Sequence, residues 1–212
     1  MTRFYSVFVA GTLDYLLRML PGFVLAAVLF FALRPWRIRR LARQGLESRP
    51  LREAVLLLFW LFCGGMAVLT LTPYWFHWLP LLQGRRPIHP PFFTLGSWEL
   101  TPTLGLIGQS GSYLWTWTLY ILLGNIVMFL PFGFFAALLW RGYHWRRALL
   151  TGVCVTGFIE CWQLLVGRAF DINDLLLNTF GVLCGYWLCL AAKRVFPRLT
   201  ARFHLTPKED IS

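Results

Sequence analysis

Charge is what this sequence is short of. Only 14% of its 212 residues are Asp, Glu, Lys or Arg, and nine of them are acidic. An ordinary soluble domain is about 25% charged and about 45–50% apolar, whereas 58% of this chain is hydrophobic. The apolar residues come in long runs such as 54–72, AVLLLFWLFCGGMAVLTLT, which carries no charge. A water-soluble fold with such segments on its surface aggregates. A disordered chain does not hold 17% aromatics. Both classes are excluded.

Ligand spacing for metals is lacking too. The five cysteines, Cys63, Cys154, Cys161, Cys184 and Cys189, are odd in number, lie inside apolar runs and form no CxxC or Cys/His pattern. Neither a zinc site nor a disulfide framework is indicated, and they are expected as small packing residues within helices. The four histidines, at 77, 89, 144 and 204, fall in loops or the tail. A metal centre within the membrane and a histidine base therefore have no support, and no cofactor is expected. The absence of an internal repeat disfavours an inverted-repeat transporter.

What is present is a set of five apolar runs near 15–33, 53–72, 113–140, 148–166 and 174–192. About 20 such residues span a bilayer. The chain is read as one domain over 1–212, an all-α polytopic membrane bundle of about five transmembrane helices. The third run is long enough to tilt or to bend at Pro131. Residues 1–14 carry one basic residue and no small-residue cleavage site follows, so the first helix is expected to be retained.

Arginine orients this bundle. The loop at 34–53 holds Arg34, Arg37, Arg39, Arg40, Arg43, Arg49 and Arg52, whereas the longer loop at 73–112 holds only Arg85 and Arg86. Next come Arg141, Arg146 and Arg147, then Arg168 alone, then a basic tail at 193–212. By the positive-inside tendency the N-terminus is outside and the C-terminus cytoplasmic. The same distribution accounts for the net charge of +11, because the basic residues crowd at helix ends beside anionic lipid. Nucleic acid is not an expected partner. The run RPWRIRRLAR at 34–43 is expected as a short amphipathic helix along the interface.

The 73–112 loop is dense in aromatics, with Trp75, Phe76, Trp78, Phe92, Phe93 and Trp98, and in prolines at 73, 80, 87, 90, 91 and 102. It reads either as an interfacial aromatic belt or as a lid over a site between the helices.

An ionisable group within a span costs about 2.5–3.5 kcal/mol even on the lenient insertion scale, and so is a functional candidate by default. Thr156, Glu160 and Gln163 share one face of the fourth helix by i+4 and i+3 spacing. Asp174, Asn178, Gly181 and Gly185 form a stripe on the fifth, ending in a GxxxG that admits another helix closely. Thr118 and Asn125 share a face of the third, with Asn125 expected near mid-membrane. These stripes have one sensible arrangement, facing each other, with Arg168 and Asp171 supplied by the turn at 167–173. The expected group is Asn125, Glu160, Gln163, Arg168, Asp171, Asp174 and Asn178, opening outward.

Structural roles compete for each member. Asp171 and Asp174 suit a helix cap and its acidic first turn. Glu160 and Arg168 suit an internal ion pair. Asn125 and Asn178 suit interhelical hydrogen bonding.

The segments LGNIVMFLPFGF (123–134) and FIECWQLLVGRAFDINDLLLNTFGVLCG (158–185) resemble the VanZ-like family of membrane proteins, named for a teicoplanin-resistance member. The pattern N-x-x-x-F-x-P-x-G, E-x-x-Q, a Gly-Arg turn, D-x-x-D and N-T-x-G is met within a motif region of about 113–192. Asn125, Phe129, Pro131, Gly133, Glu160, Gln163, Gly167, Arg168, Asp171, Asp174, Asn178, Thr179 and Gly181 carry it. Where many relatives place an N-x-x-P-F-type segment, this chain has IHPPFFTLGSWEL.

The resemblance implies a multi-pass protein of the inner (plasma) membrane, tied to the cell envelope and to glycopeptide susceptibility. It supplies no reaction. Residues and resemblance together suggest an outward polar cleft for a membrane lipid or a lipid-linked envelope molecule. Asn125, Gln163, Arg168, Asp171 and Asn178 would bind it. Glu160 and Asp174 would be the acid/base pair if a reaction occurs. A lipid translocator and a purely structural protein are the alternatives.

Overall fold

The computed structural model describes residues 2–73, 75, 76, 78, 84, 91–102 and 112–207, with backbone alone at 2–12 and 112–121. Arg85, Arg86, His77, His89, Pro80, Pro87, Pro90, Lys208 and the side chain of Thr118 lie outside the described residues.

Five long helices carry the fold: α1 (Thr2–Arg43), α2 (Pro50–Leu71), α3 (Ser112–Leu139), α4 (Trp145–Leu165) and α5 (Ile172–Val195), followed by a short α6 (Pro197–Ala201). All five are long and apolar enough to cross a membrane. Their outward faces carry exposed Val24, Val28, Leu58, Val127, Leu150, Phe158 and Trp187, the signature of a bundle solvated by lipid. The chain is a multi-pass α-helical membrane protein.

Missing side chains set the helix packing. In α5, a Cβ on Gly185 would lie 1.9 Å from the Leu130 carbonyl oxygen, and one on Gly181 would lie 2.4 Å from that of Ile126. From the other side, a Cβ on Gly133 would reach 1.8 Å from the Val182 oxygen. The expected GxxxG stripe is thus in backbone contact with α3, and the two helices run parallel. Lys193 Nζ donates to the Ala137 carbonyl at the far end of this seam, 2.6 Å away. The α1–α2 hairpin repeats the device, with Gly22 against Gly64. Around the seam lies a core of Met66, Phe129, Ala137, Leu138, Ala148, Ile159, Val182, Tyr186 and Cys189.

Two expectations are corrected. The 34–43 run is no separate interfacial helix: α1 continues through it to Arg43, with Pro21 and Pro35 inside the helix. Within this stretch the Arg37 guanidinium stacks on Phe30, two turns back, and forms a salt bridge with Glu53 of α2. Nor are all cysteines packing residues. Cys189 is buried in the core, but Cys154 and Cys161 are exposed on the outer face of α4.

Small strands tie the ends. At the Arg37 end, β1 (Leu46–Glu47) pairs antiparallel with β4 (Thr206–Pro207), clipping the tail to the α1–α2 loop. At the opposite end, β2 (Trp98–Glu99) pairs parallel with β3 (Phe170–Asp171). That second pair frames the site.

Candidate functional site: a polar cavity at one end of the bundle

The site is built around the turn from α4 to α5. Gly167 takes φ +77°, a left-handed conformation that suits glycine. This reverses the chain, and the Arg168 N–H bonds back to the Gln163 carbonyl at 2.9 Å. Asp171 then caps α5, its carboxylate accepting from the Asn173 backbone N–H at 2.7 Å and from the Asn173 side chain at 2.8 Å.

The 94–99 segment lies along this turn like an added strand. Thr94 and Gly96 donate to the end carbonyls of α4, Leu165 and Leu164, at 3.0 and 2.7 Å, and Phe170 donates to Ser97 at 2.9 Å. Gly96 is required by proximity, since a Cβ there would meet the Arg168 oxygen at 1.7 Å. The last helical carbonyls of α4, which have no partner inside the helix, are thereby satisfied by the loop.

The end of α2 is satisfied from α4 and the turn. Leu69, Thr70 and Leu71 carbonyls accept from Arg168 Nη1 at 3.3 Å, Gln163 Nε2 at 3.2 Å and Trp162 Nε1 at 2.7 Å. Gln163 and Arg168 therefore each have a fixed structural task. Among the described residues Arg168 makes no salt bridge, to Glu160 or to any other carboxylate.

Between these elements is a cavity of about 320 Å³. It is lined by Asn125, Glu160, Gln163, Arg168, Asp174 and Asn178, which is the sequence-derived group without Asp171. Glu160 is 1% exposed, and its Oε2 accepts the Asp171 backbone N–H at 3.0 Å. Asp174 accepts a hydrogen bond from the Asn125 amide. That contact sets Asn125 level with the first turn of α5, because α3 begins ahead of α5 at this end. Asn178 is 5% exposed and its Oδ1 has no hydrogen-bond partner among the described residues. A buried unpaired oxygen of this kind costs about 1–3 kcal/mol.

Several lining residues were not singled out from sequence. α1 contributes Tyr15 and Arg18, the latter in a salt bridge with Asp14 at 2.9 Å. The signal was available, because an arginine within an apolar helix is itself a functional candidate. The loop contributes Pro73, Phe76 and Trp78, with the Trp78 indole donating to the Leu17 carbonyl at 2.9 Å. Phe92 and Phe93 meanwhile form an aromatic chain from Trp75 to Trp162. The loop thus supplies part of the cavity wall through Pro73, Phe76 and Trp78.

The lining holds two arginines, Arg18 and Arg168, and two carboxyl groups, Glu160 and Asp174. Among the described residues no group of three or more His, Cys, Asp or Glu side chains is placed to hold a metal ion.

The profile of the VanZ/LLP1 family matches residues 23–194, most of the chain, and the protein belongs to that family. No curated protein and no solved structure matches it.

Proposed function

We propose, on the premise of this VanZ/LLP1 membership, that the polar cavity receives the anionic headgroup of a membrane amphiphile at the outer leaflet of the inner membrane. The observation that carries the reading is a cavity whose wall presents two arginines, Arg18 and Arg168, beside the buried Asn178. A phosphate suits the arginines, whose planar fork matches it. Outward orientation rests on the arginine alternation, since the end opposite the cavity carries Arg37, Arg39, Arg40, Arg43, Arg49 and Arg52. A link to glycopeptide susceptibility follows from the family resemblance and belongs to the same proposal.

A second reading, catalysis on a lipid-linked envelope component, draws on Glu160 and Asp174 facing one cavity. Two carboxylates in one site suit acid/base work. Purified protein in liposomes with labelled anionic lipid separates the readings. Saturable binding of unchanged lipid supports the headgroup site, a new covalent product supports the enzyme, and leaflet transfer of unchanged lipid supports a translocator. Absence of binding, product and transfer counts against all three.

A further inference from the structure

A second, apolar groove runs beside the polar cavity and shares two residues with it. Its volume is about 530 Å³. Leu25 and Leu29 of α1 and Phe59, Trp60, Cys63 and Ala67 of α2 are among its lining residues. It lies along the close contact of α1 and α2 at Gly22 and Gly64, where a Cβ on Gly22 would fall 2.1 Å from the Gly64 oxygen. Leu25 is 60% exposed, so one side of the groove is open to the surrounding bilayer.

Val68 and Thr72 line both the groove and the polar cavity. Thr72 is no polar barrier, since its hydroxyl is already bonded to the Val68 carbonyl at 2.7 Å. We infer that groove and cavity form one continuous site for an anionic glycerophospholipid of the bilayer, with one hydrocarbon chain in the α1–α2 groove and its headgroup beside Arg168. This inference rests on the headgroup reading of the cavity. Polarity along the path supports the occupant. The groove offers its lining hydrocarbon and aromatic side chains, whereas charge and free hydrogen-bonding groups begin beyond Val68 and Thr72. A ligand polar throughout would leave its groove end unsolvated, and a plain hydrocarbon would leave the cavity unfilled. An amphiphile matches both, and the open side gives it lateral entry.

The test uses the full chain in nanodiscs with two phosphatidylglycerol probes, one carrying a diazirine on an acyl chain and the other on the headgroup. The acyl probe should label Leu25, Leu29 and Cys63 above the outward-facing Leu150 and Phe158. The headgroup probe should label the cavity wall. Ala67→Trp fills the groove and should abolish the excess acyl labelling of Leu25, Leu29 and Cys63, because the chain loses its van der Waals contacts there. Arg168→Gln should lower acyl labelling of the groove as well, because one molecule occupies both parts. Each variant is compared at equal monodisperse yield, and Cys63→Trp serves if Ala67→Trp does not fold.

Headgroup labelling of the cavity with no acyl enrichment in the groove overturns the continuous site and leaves the headgroup reading standing. Groove labelling indifferent to Arg168→Gln, with an unlabelled cavity, overturns both.

Discussion

The Asp171 backbone N–H donates to Glu160 Oε2 across 3.0 Å, while the Asp171 carboxylate turns away to cap α5. One residue thus holds the buried carboxylate through its main chain and starts the next helix through its side chain. The two aspartates of D-x-x-D are consequently unequal: Asp174 lines the cavity and Asp171 does not.

That inequality gives the first expectation. Asp171→Ser retains a capping oxygen and should leave folding and lipid binding close to wild type, whereas Asp171→Ala should cost about 1 kcal/mol of stability. Asp174→Asn keeps the shape but removes the carboxylate that Asn125 donates to. It should accumulate normally and lose binding or activity. Monodisperse yield and lipid binding, measured on the same preparations, check both. Full function in Asp174→Asn would remove that residue from the site.

The α3–α5 seam gives the second. Gly185→Ala drives a methyl group to 1.9 Å from a backbone oxygen, which no rotamer relieves. Overpacking typically costs about 1–3 kcal/mol, and with backbone as the obstacle the upper end or beyond is expected, seen as lost folded protein. Gly124→Ala on α3 is the control, since nothing lies within 4 Å of its Cβ position. It should melt at or above the wild-type temperature, because alanine is the better helix former.

Much of this was legible in the sequence. Stripes at Glu160–Gln163 and at Asp174, Asn178, Gly181 and Gly185 specify faces by helical periodicity, and those faces do meet. The short turn at Gly167 made α4 and α5 antiparallel neighbours. What periodicity does not carry is the partner of each group. Arg168 donates to Leu69, 99 residues away in sequence, and not to the carboxylate Glu160 eight residues away. The backbone carbonyls at the end of α2 have no sequence signature. In the 34–43 run, the density of arginine suggested a short helix along the interface, whereas α1 runs on through it and Arg37 pairs with Glu53 of α2.

A third expectation concerns pH at the other end of the bundle. Burial holds the His204 imidazole below its ordinary titration range, assisted by the positive charges of Lys193, Arg141 and Arg52. Its folded value is depressed relative to the unfolded value of about 6.5. The contribution to stability is therefore present above that pH and lost as pH falls through the folded value. Thermal melts in detergent between about pH 7.5 and 5.5 should show a decline that His204→Gln flattens. An equal decline in that variant would assign the effect elsewhere.

Orientation gives a fourth. In a background freed of native cysteines, Phe92→Cys should react with an impermeant thiol reagent from outside, and Arg43→Cys only after permeabilisation. The opposite labelling would place the cavity at the cytoplasmic face.

Asn178 offers the most direct measurement of the central claim, that the cavity is a binding site and not internal polar packing. Asn178 lines the cavity and its buried Oδ1 has no partner among the described residues, so Asn178→Leu removes an unsatisfied group worth about 1–3 kcal/mol. Thermal denaturation of purified wild type and Asn178→Leu, each with and without phosphatidylglycerol, reads stability and binding together. A headgroup site predicts that the lipid raises the wild-type midpoint, and that Asn178→Leu begins at or above wild type and gains little from lipid. A variant that starts well below wild type, yet is stabilised by lipid to the same extent, would contradict the account.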